Sequence, residues 1–376
     1  MPMRCAIRKV ALGCCGGLML TASFAAEKSD PHAGESEHGY TREEVDHDYG
    51  TEAGRVYYPE IAVDTDDAPS FAIPEEVGEE VPLKVYEVVP GTWMFYGNIA
   101  EVDENNRGSN GNAGFVVTDD GVVVIDALGT PKLGKRLIAT VRSVTDQPIR
   151  YLIVTHNHPD HAYGAIAFRE LPGVIIIGHK GTLKYINSDR IEHSVTYRRT
   201  FIDPDMKGFK AVTPDVLVND TVFAKYTFSL GGRTFDVYNT GAHHSYGDLV
   251  IHQVEDNIVW ISDLAFNNRV TFMSDGSSKA AIAAQKWVLE KFADARLMIP
   301  GHGSAQTKPF PMVSWTLRYM QTLRDRTRAA LDDGVDLQDA VDSIEFDDWK
   351  KVRLYGLNHR ANVGFVYREM EIQAFE

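Results

Sequence analysis

Short apolar runs alternate with segments of helical spacing from about residue 81 to the end of the chain. Runs rich in β-branched and aromatic residues predict strands at residues 85–89, 92–99, 115–118, 122–126, 149–154, 174–177, 221–229, 234–239, 249–253, 258–261 and 295–299. Apolar residues at helical spacing predict helices at residues 131–144, 162–170, 277–293, 312–332 and 360–373. Residues 180–220 follow neither period and are predicted to be irregular. Two series of strands, each followed by helices, predict an α/β fold with sheets packed face to face and helices outside.

The first 25 residues have the pattern of a secretory signal peptide. Three basic residues (Arg4, Arg8 and Lys9) lie near the start, and apolar and small residues follow at 10–22. Residues 23–25 offer a cleavage site. The apolar part is too short to span a membrane. We therefore predict a periplasmic or secreted protein with no stable membrane span after cleavage. An uncleaved anchor, or a lipoprotein modified at Cys14, is the alternative.

Residues 26–80 form an acidic segment without a periodic pattern. Seventeen acidic and three basic side chains between residues 27 and 80 account for most of the formal net charge of −15. This composition predicts disorder. Residues 81–376 are predicted to be one folded domain that ends in helices. Because this domain is nearly neutral, we do not expect a nucleic-acid partner.

All three cysteines (Cys5, Cys14 and Cys15) lie within the predicted signal peptide. The mature chain would therefore contain no disulfide and no thiolate that could act as a metal ligand or nucleophile. A metal site in the mature chain must then consist of nitrogen and oxygen donors. Such a set suits zinc, and iron or manganese as well.

Four metal-binding side chains follow a predicted strand within six residues: His156, His158, Asp160 and His161. In an extended segment, residues two apart point the same way, so His156 and His158 can bind one ion together. Pro159 then turns the chain, which lets Asp160 and His161 face an adjacent position. The pattern predicts a metal site. The alternative is a polar loop whose histidines occur by chance.

Three further segments carry candidate ligands, and each directly follows a strand-like run. In chain order they supply His243 with His244, then Asp263, then His302. Ligands at strand ends converge in one crevice while the sheets fix their geometry. These segments therefore favour a metal site over a polar loop.

With these segments in this order, the chain resembles the metallo-β-lactamase superfamily over about residues 85–305. The resemblance rests on five ordered blocks at residues 121–126, 155–161, 241–248, 262–263 and 300–303. It implies a four-layer αβ/βα sandwich of two mixed sheets, with a two-metal site between them. The export signal and the carboxy-terminal helix are similar to periplasmic zinc metallohydrolases associated with sulfur-oxidation and quinoprotein systems.

The resemblance implies a ligand set for two divalent cations, with Zn²⁺ favoured. The first ion would be held by His156, His158 and His244, the second by Asp160, His161 and His302, with Asp263 bridging the two. An aspartate bridge in a chain without mature cysteines resembles the glyoxalase II, lactonase and ribonuclease Z type of site. It differs from the β-lactamases that place a cysteine at this position.

His243 and His244 are both candidates for the third ligand of the first ion. The family usually places Thr or Ser after this ligand, and Ser245 follows His244. We therefore expect His244 to bind the ion. His243 is then expected to lie beside the ligands or to face the substrate.

The implied site predicts hydrolysis of a small molecule with an electrophilic carbonyl, such as a β-lactam, lactone, ester or thioester, because paired cations activate water at neutral pH. Asp160 is the predicted catalytic residue, which orients the water or passes its proton to the leaving group. Arg198, Arg199 and Arg269 are predicted to hold a substrate carboxylate. For the first two, a solvated basic helix face is the alternative. The loop at 100–111 is predicted to be either a flap or an ordinary hairpin loop.

Two other functions compete with hydrolysis. An iron-dependent sulfur oxidoreductase of the persulfide dioxygenase type would need open iron coordination, against which seven ligands argue. A non-catalytic metal-binding accessory protein of a periplasmic redox system is the second. A nuclease is disfavoured by the neutral domain and by export. The sequence indicates no particular oligomeric state.

Overall fold

The computed structural model describes residues 77–374, except Asn219. The predicted signal peptide and nearly all of the predicted acidic segment lie outside the described residues. The domain boundary predicted at residue 81 falls shortly before the first strand. Within the described residues, no helix combines the length and the apolar character that crossing a bilayer requires.

The first half of the described chain forms a seven-stranded mixed sheet. Its strands are β1 (Tyr86–Val89), β2 (Thr92–Phe95), β3 (Ala113–Thr118), β4 (Gly121–Ile125), β5 (Ile149–Ile153), β6 (Ile175–Gly178) and β7 (Val216–Leu217). They lie in chain order, antiparallel from β1 to β4 and parallel from β4 to β7. The parallel strands are connected by helices, and their carboxyl ends lie at the same edge of the sheet.

The second half forms a five-stranded mixed sheet. Its strands are β8 (Lys225–Leu230), β9 (Arg233–Gly241), β10 (Asp248–Gln253), β11 (Ile258–Ser262) and β12 (Leu297–Pro300). The order is β12-β11-β10-β9-β8, and only β11 and β12 are parallel. The carboxyl ends of β9, β11 and β12 carry the candidate ligands of this half.

The two sheets pack face to face through apolar side chains. Val123 and Ile153 of the first sheet and Val237 and Trp260 of the second belong to one buried cluster. The contact is close at Gly114, where a Cβ atom would lie 2.3 Å from the Trp260 ring. Side chains alternate between the two faces of each strand, and those on the outer face of each sheet are apolar as well. These outer faces must therefore be covered.

Helices cover both outer faces. They are α1 (Pro131–Val144), α2 (Pro159–Ala162), α3 (Ala165–Arg169), α4 (Gly181–Ile186), α5 (Asp189–Ile202), α6 (Ser278–Lys291), α7 (Pro311–Asp332), α8 (Leu337–Ser343) and α9 (Tyr355–Ala374). Helices α1 and α3 pack on the first sheet, and α6 with the start of α7 packs on the second. The predicted α/β sandwich of two mixed sheets with helices outside is confirmed.

Two predicted segments differ from the structure. Residues 180–220, predicted to be irregular, contain α4 and α5, and the helical period is hidden because α5 buries only Arg198 and Ile202. The helix predicted at 162–170 is divided into α2 and α3 at Gly164. That residue packs so tightly that a Cβ atom would lie 1.9 Å from the carbonyl oxygen of Ala127.

Candidate metal centre

The turn after β5 presents four candidate ligands. Asp126, at the end of β4, fixes this turn because its carboxylate accepts bonds from the Thr155 backbone N–H (2.8 Å) and hydroxyl (2.9 Å). Pro159 is then the first residue of α2, where its fixed φ suits a helix start. The first turn of α2 buries Asp160 and His161 against the sheet edge.

Asp248, at the start of β10, organises the turn that carries His244. Its Oδ2 accepts bonds from the backbone N–H groups of His243 (2.9 Å), His244 (2.9 Å) and Ser245 (3.1 Å). Burial raises the pKa of this carboxyl, but the neighbouring histidines and these backbone bonds outweigh it and leave the pKa lowered. A carboxylate with three backbone donors thus holds the ligand turn in one conformation.

One group of candidate ligands comprises His156, His158, His244 and Asp263, whose donor atoms all lie within 4.8 Å of one another. His158 Nδ1 lies 2.8 Å from His244 Nε2. Asp263 Oδ2 lies 3.0 Å from His244 Nε2 and 3.8 Å from His156 Nε2. This is the first predicted ligand set together with the predicted bridging residue.

A second group comprises Asp160, His161 and His302, with donor atoms in the same range. His302 Nε2 lies 3.4 Å from Asp160 Oδ2 and 3.5 Å from His161 Nε2. Asp263 reaches this group as well, since its Oδ1 is 3.3 Å from His161 Nε2 and its Oδ2 is 3.2 Å from His302 Nε2. One carboxylate therefore contacts both groups.

The unpaired atoms of the two groups fit divalent cations. Among the described residues, buried His156 Nε2 has no hydrogen-bond partner, and buried Asp263 Oδ1 lies 3.3 Å from His161 Nε2 without hydrogen-bond geometry, a state that is costly unless a ligand satisfies them. Gly301 leaves room for this carboxylate, because a Cβ atom there would lie 1.9 Å from Asp263 Oδ1. Imidazole and carboxylate donors suit zinc, iron and manganese.

For Asp160 and His302 the pKa shifts favour the deprotonated forms that metal binding requires, whereas for His161 burial is outweighed by the surrounding carboxylates, which raise its pKa. Burial raises the pKa of Asp160, but interactions with His161, His302, Arg198 and Arg269 outweigh it and lower this pKa to about 2. Burial, reinforced by Arg269, lowers the pKa of His302 to about 4. Asp160 is thus a carboxylate and His302 is neutral at pH 7.

The outer nitrogen of each histidine in the second group meets a different partner. His161 Nδ1 donates to Asp126 Oδ2 at 2.9 Å, the carboxylate contact that commonly orients a metal-binding histidine. His302 Nδ1 instead faces Arg269 Nη1 at 3.1 Å. The Arg269 guanidinium also donates to the backbone carbonyls of Ile99 and Ala100.

In the first group, the outer partners of His156 and His244 are hydroxyls. His156 Nδ1 lies 3.0 Å from Thr155 Oγ1, and His244 Nδ1 lies 3.4 Å from Thr271 Oγ1. His158 Nε2 lies 3.7 Å from the carboxylate of Asp275. Burial opposes the charged form of His158, but Asp275 and the other carboxylates nearby raise its pKa.

Sequence reasoning identified none of these outer partners. Asp126 lies in the quoted block at residues 121–126, and its place at the end of a buried strand was the available signal. Asp275 and Thr271 follow β11 in a stretch without regular structure, and no motif marks them. Their positions depend on the packing of the whole domain.

The predicted substrate-binding residues lie in different surroundings. His243 belongs to neither ligand group, and its buried ring places Nε2 3.1 Å from Thr240 Oγ1. Arg199 is half exposed and pairs with Asp203 at 3.5 Å. Arg198 is buried, and its Nη2 donates to Asn110 Oδ1 at 3.3 Å. Arg269 is partly buried beside His302.

The loop at 100–111 is packed against the ligand turns. The next residue, Asn112, donates through Nδ2 to the carbonyls of Pro300 and Gly303, each at 2.9 Å. Its backbone N–H donates to the Gly301 carbonyl at 2.7 Å. Asn110 Nδ2 lies 3.4 Å from Asp160 Oδ2. Most of this loop is buried, which favours an ordinary loop over a flap, the two alternatives predicted for it.

Comparison with known proteins supports the same family. The sequence model of the metallo-beta-lactamase superfamily matches residues 106–330. A linear primary-alkylsulfatase of Pseudomonas sp. is 30% identical over 54 residues, which are 14% of this chain and 10% of that protein. The chain thus matches about a tenth of the length of this curated relative.

A solved structure shares the fold. The inverting sec-alkylsulfatase Pisa1 from Pseudomonas sp. has a TM-score of 0.63 at 16% identity, covering 91% of this chain and 60% of that one. A metallo-beta-lactamase from Pontibacter korlensis has a TM-score of 0.49 at 19% identity, covering 63% of this chain and 98% of that one. The family match spans more than half of the chain, so the predicted family is confirmed. The chain belongs to the metallo-β-lactamase superfamily.

Proposed function

We propose that this chain is an exported hydrolase that holds two divalent cations, with zinc favoured, and cleaves a carbonyl compound such as a β-lactam, lactone, ester or thioester. One observation carries the proposal. Seven donor side chains from strand ends of both sheets converge in two groups, and the Asp263 carboxylate contacts both. The first ion would be held by His156, His158 and His244, the second by Asp160, His161 and His302, with Asp263 shared.

When bound, the cations would supply Lewis-acid activation of water and stabilise negative charge on the substrate oxygen. The chain's own residues prepare the crevice for this chemistry. Burial excludes bulk water from the ligand side chains and strengthens the electrostatic interactions among them. Asp248 and Asp126 keep the two ligand turns rigid through bonds to their backbones.

Asp160 is the residue suited to move a proton. Its low pKa keeps it a carboxylate at neutral pH, and Asn110 Nδ2 approaches its Oδ2 at 3.4 Å. With one oxygen toward the ligand group, the other can accept a hydrogen bond from the attacking water. It can then pass the proton to the leaving group.

A metal analysis combined with a substrate panel tests this proposal. The purified chain is analysed for zinc, iron and manganese, loaded with zinc, and assayed on lactams, lactones, esters and thioesters. We expect two ions per chain and hydrolysis that a chelator abolishes. One iron per chain would favour the sulfur oxidoreductase, and a zinc-loaded but inactive chain would favour the accessory protein. Either result would overturn the proposal.

A sulfate ester is the second candidate substrate. The similarity to Pisa1 covers 91% of this chain, far more than the family match at 106–330, so it extends to the carboxy-terminal helices. Hydrolysis would add water to an alkyl sulfate and release an alcohol and hydrogen sulfate. Primary and secondary alkyl sulfates therefore belong in the substrate panel, with sulfate release as the readout. Sulfate release without cleavage of any carbonyl compound would favour this candidate.

Export is a separate part of the proposal. The basic start and apolar stretch of the first 25 residues support it. We expect the full chain, expressed in a bacterial host, to be found in the periplasm or medium with a mature amino terminus near residue 26. A chain that retains its first residues in the cytoplasm would contradict this part and leave the chemistry unaffected.

A further inference from the structure

Arg198 carries a buried charge without a carboxylate partner. This residue, on α5, is 3% exposed. Its Nη2 donates only to neutral oxygens, those of Gly108 (3.5 Å) and Asn110 (3.3 Å). Its Nε has no hydrogen-bond partner, and among residues 77–374 no carboxylate oxygen lies within ion-pair distance of it. An uncompensated buried charge is strongly destabilising, so this arrangement points to a missing anion.

Neighbouring arginines show how this fold treats arginines that have only a structural role. The buried Arg107 forms an ion pair with Asp205 at 2.5 Å. Arg199, the next residue along α5, is half exposed and lies 3.5 Å from Asp203. Both of these charges have a carboxylate close by. Arg198 has no such carboxylate among the described residues, so its charge is not needed for internal pairing.

The position of Arg198 connects it to the metal centre. Asn110 accepts from Arg198 through Oδ1 and approaches Asp160 Oδ2 through Nδ2. Glycines make the room for the guanidinium, since a Cβ atom at Gly129 would lie 2.4 Å from Arg198 Nη2. Arg269, which lies 3.1 Å from His302, also has no carboxylate within ion-pair distance among the described residues.

We propose that Arg198 is the anion-recognition residue of this site and that the substrate carries an oxyanion group, either a carboxylate or a sulfate. The proposal rests on the proposed function, which it deepens by naming the substrate class. A guanidinium offers parallel N–H donors that match two oxygens of such a group. In a buried site these charge-assisted bonds are strong, and the substrate anion would supply the missing counter-charge.

Anion binding by the intact, metal-loaded chain tests the proposal without any enzymatic assay. Sodium sulfate and sodium acetate are the two probes, each compared with sodium chloride at equal ionic strength, and thermal unfolding reports binding. We compare the wild type with Arg198→Met and with the matched control Arg199→Met. Sulfate also stabilises proteins nonspecifically, so the difference between variants is the readout.

We expect the anion-dependent rise in Tm in the wild type and in Arg199→Met, and its loss in Arg198→Met, corresponding to roughly a 10- to 100-fold weaker affinity. The larger response, to sulfate or to acetate, identifies the kind of oxyanion. Equal responses in the wild type and Arg198→Met would overturn the proposal. If Arg198→Met fails to fold, Arg198→Lys is used in its place, because lysine keeps the positive charge but lacks the parallel N–H donors of the guanidinium. An unchanged response in that variant would overturn the proposal as well.

A kinetic arm separates this inference from the proposed function. On matched anionic and neutral esters, Arg198→Met should raise KM for the anionic ester alone. If Arg198→Met loses anion binding but the wild type hydrolyses no substrate, the anion site is supported and the hydrolase proposal is rejected. Hydrolysis with equal KM changes for both esters would retain the hydrolase and reject the anion site.

Discussion

His359 in the carboxy-terminal helices and His156 in the crevice are equally buried, at 2% and 1% exposure, but their nitrogens are used differently. His359 has a partner for each nitrogen, the Tyr319 hydroxyl at 3.0 Å and the Ile344 carbonyl at 2.9 Å. His156 Nε2 has none. In the crevice, imidazole nitrogens face one another instead, as do those of His158 and His244 at 2.8 Å. Burial alone therefore does not distinguish the two histidines, whereas the unpaired nitrogen of His156 is one that a bound cation would satisfy.

A second contrast lies within the centre. His161 donates to the Asp126 carboxylate, whereas His302 faces the guanidinium of Arg269. A guanidinium cannot accept a hydrogen bond, and its charge opposes a nearby cation. Asp126 should therefore strengthen the second ion position and Arg269 should weaken it.

The largest effect is expected for Asp263→Asn. This substitution removes the one carboxylate that contacts both ligand groups, so the metal content should fall below one ion per chain. Hydrolysis should fall roughly 100-fold or more. Elemental analysis and kinetics measure both. Asp146→Asn, an exposed aspartate, is the control. An Asp263→Asn variant that still bound two ions would show that the groups do not share this carboxylate.

A smaller loss is expected for Asp126→Asn. His161 would lose its carboxylate acceptor, and metal affinity at the second position should fall roughly 10- to 100-fold. Competition with a chelator measures the affinity. Asp236→Asn removes an equally buried carboxylate that contacts Lys225 and Thr227 far from the ligand groups, and serves as the control. Equal metal affinities in Asp126→Asn and the wild type would show that Asp126 does not strengthen the second ion position.

The opposite sign is expected for Arg269→Gln. Loss of the charge beside His302 and Asp160 should tighten metal binding at the second position, by up to roughly tenfold. The same chelator competition measures it, with Arg199→Gln as the control for the loss of a positive charge. Weaker binding in a variant with unchanged Tm would mean that Arg269 supports His302.

No effect on metal content is expected for His359→Gln, which should instead destabilise the fold by roughly 1–3 kcal/mol. Burial lowers the pKa of His359 to about 4, whereas the unfolded chain binds this proton near the ordinary value of about 6.5. The stability due to neutral His359 is thus present above pH 6.5 and lost as the pH falls toward 4.

The difference in Tm between the wild type and His359→Gln should therefore shrink between pH 7 and pH 4.5. Thermal unfolding in the presence of a chelator measures it without a contribution from bound metal. A reduced metal content in His359→Gln would show that His359, like His156, affects metal binding.

The sequence was sufficient for the ligand segments and for all described strands except the two-residue β7, which lies in the segment predicted to be irregular. Apolar runs report directly on buried strands, and ligands that follow them must lie at the sheet edge. Helix α5 was missed because it fully buries only two side chains, one of them Arg198, and its other packed apolar residues are only partly buried. Because this helix was not predicted, the sequence did not indicate which of Arg198 and Arg199 is buried, although adjacent helical residues point in different directions. Asp126 reaches His161 across 35 positions, a contact that only the tertiary fold determines.

The central claim is that both ligand groups hold a metal ion and share Asp263. The most direct test is anomalous X-ray scattering from crystals of the zinc-loaded chain, combined with elemental analysis of the same sample. We predict two zinc ions per chain, one at each group, with Asp263 between them. A single ion, or no ion at these seven side chains after loading, would contradict the account.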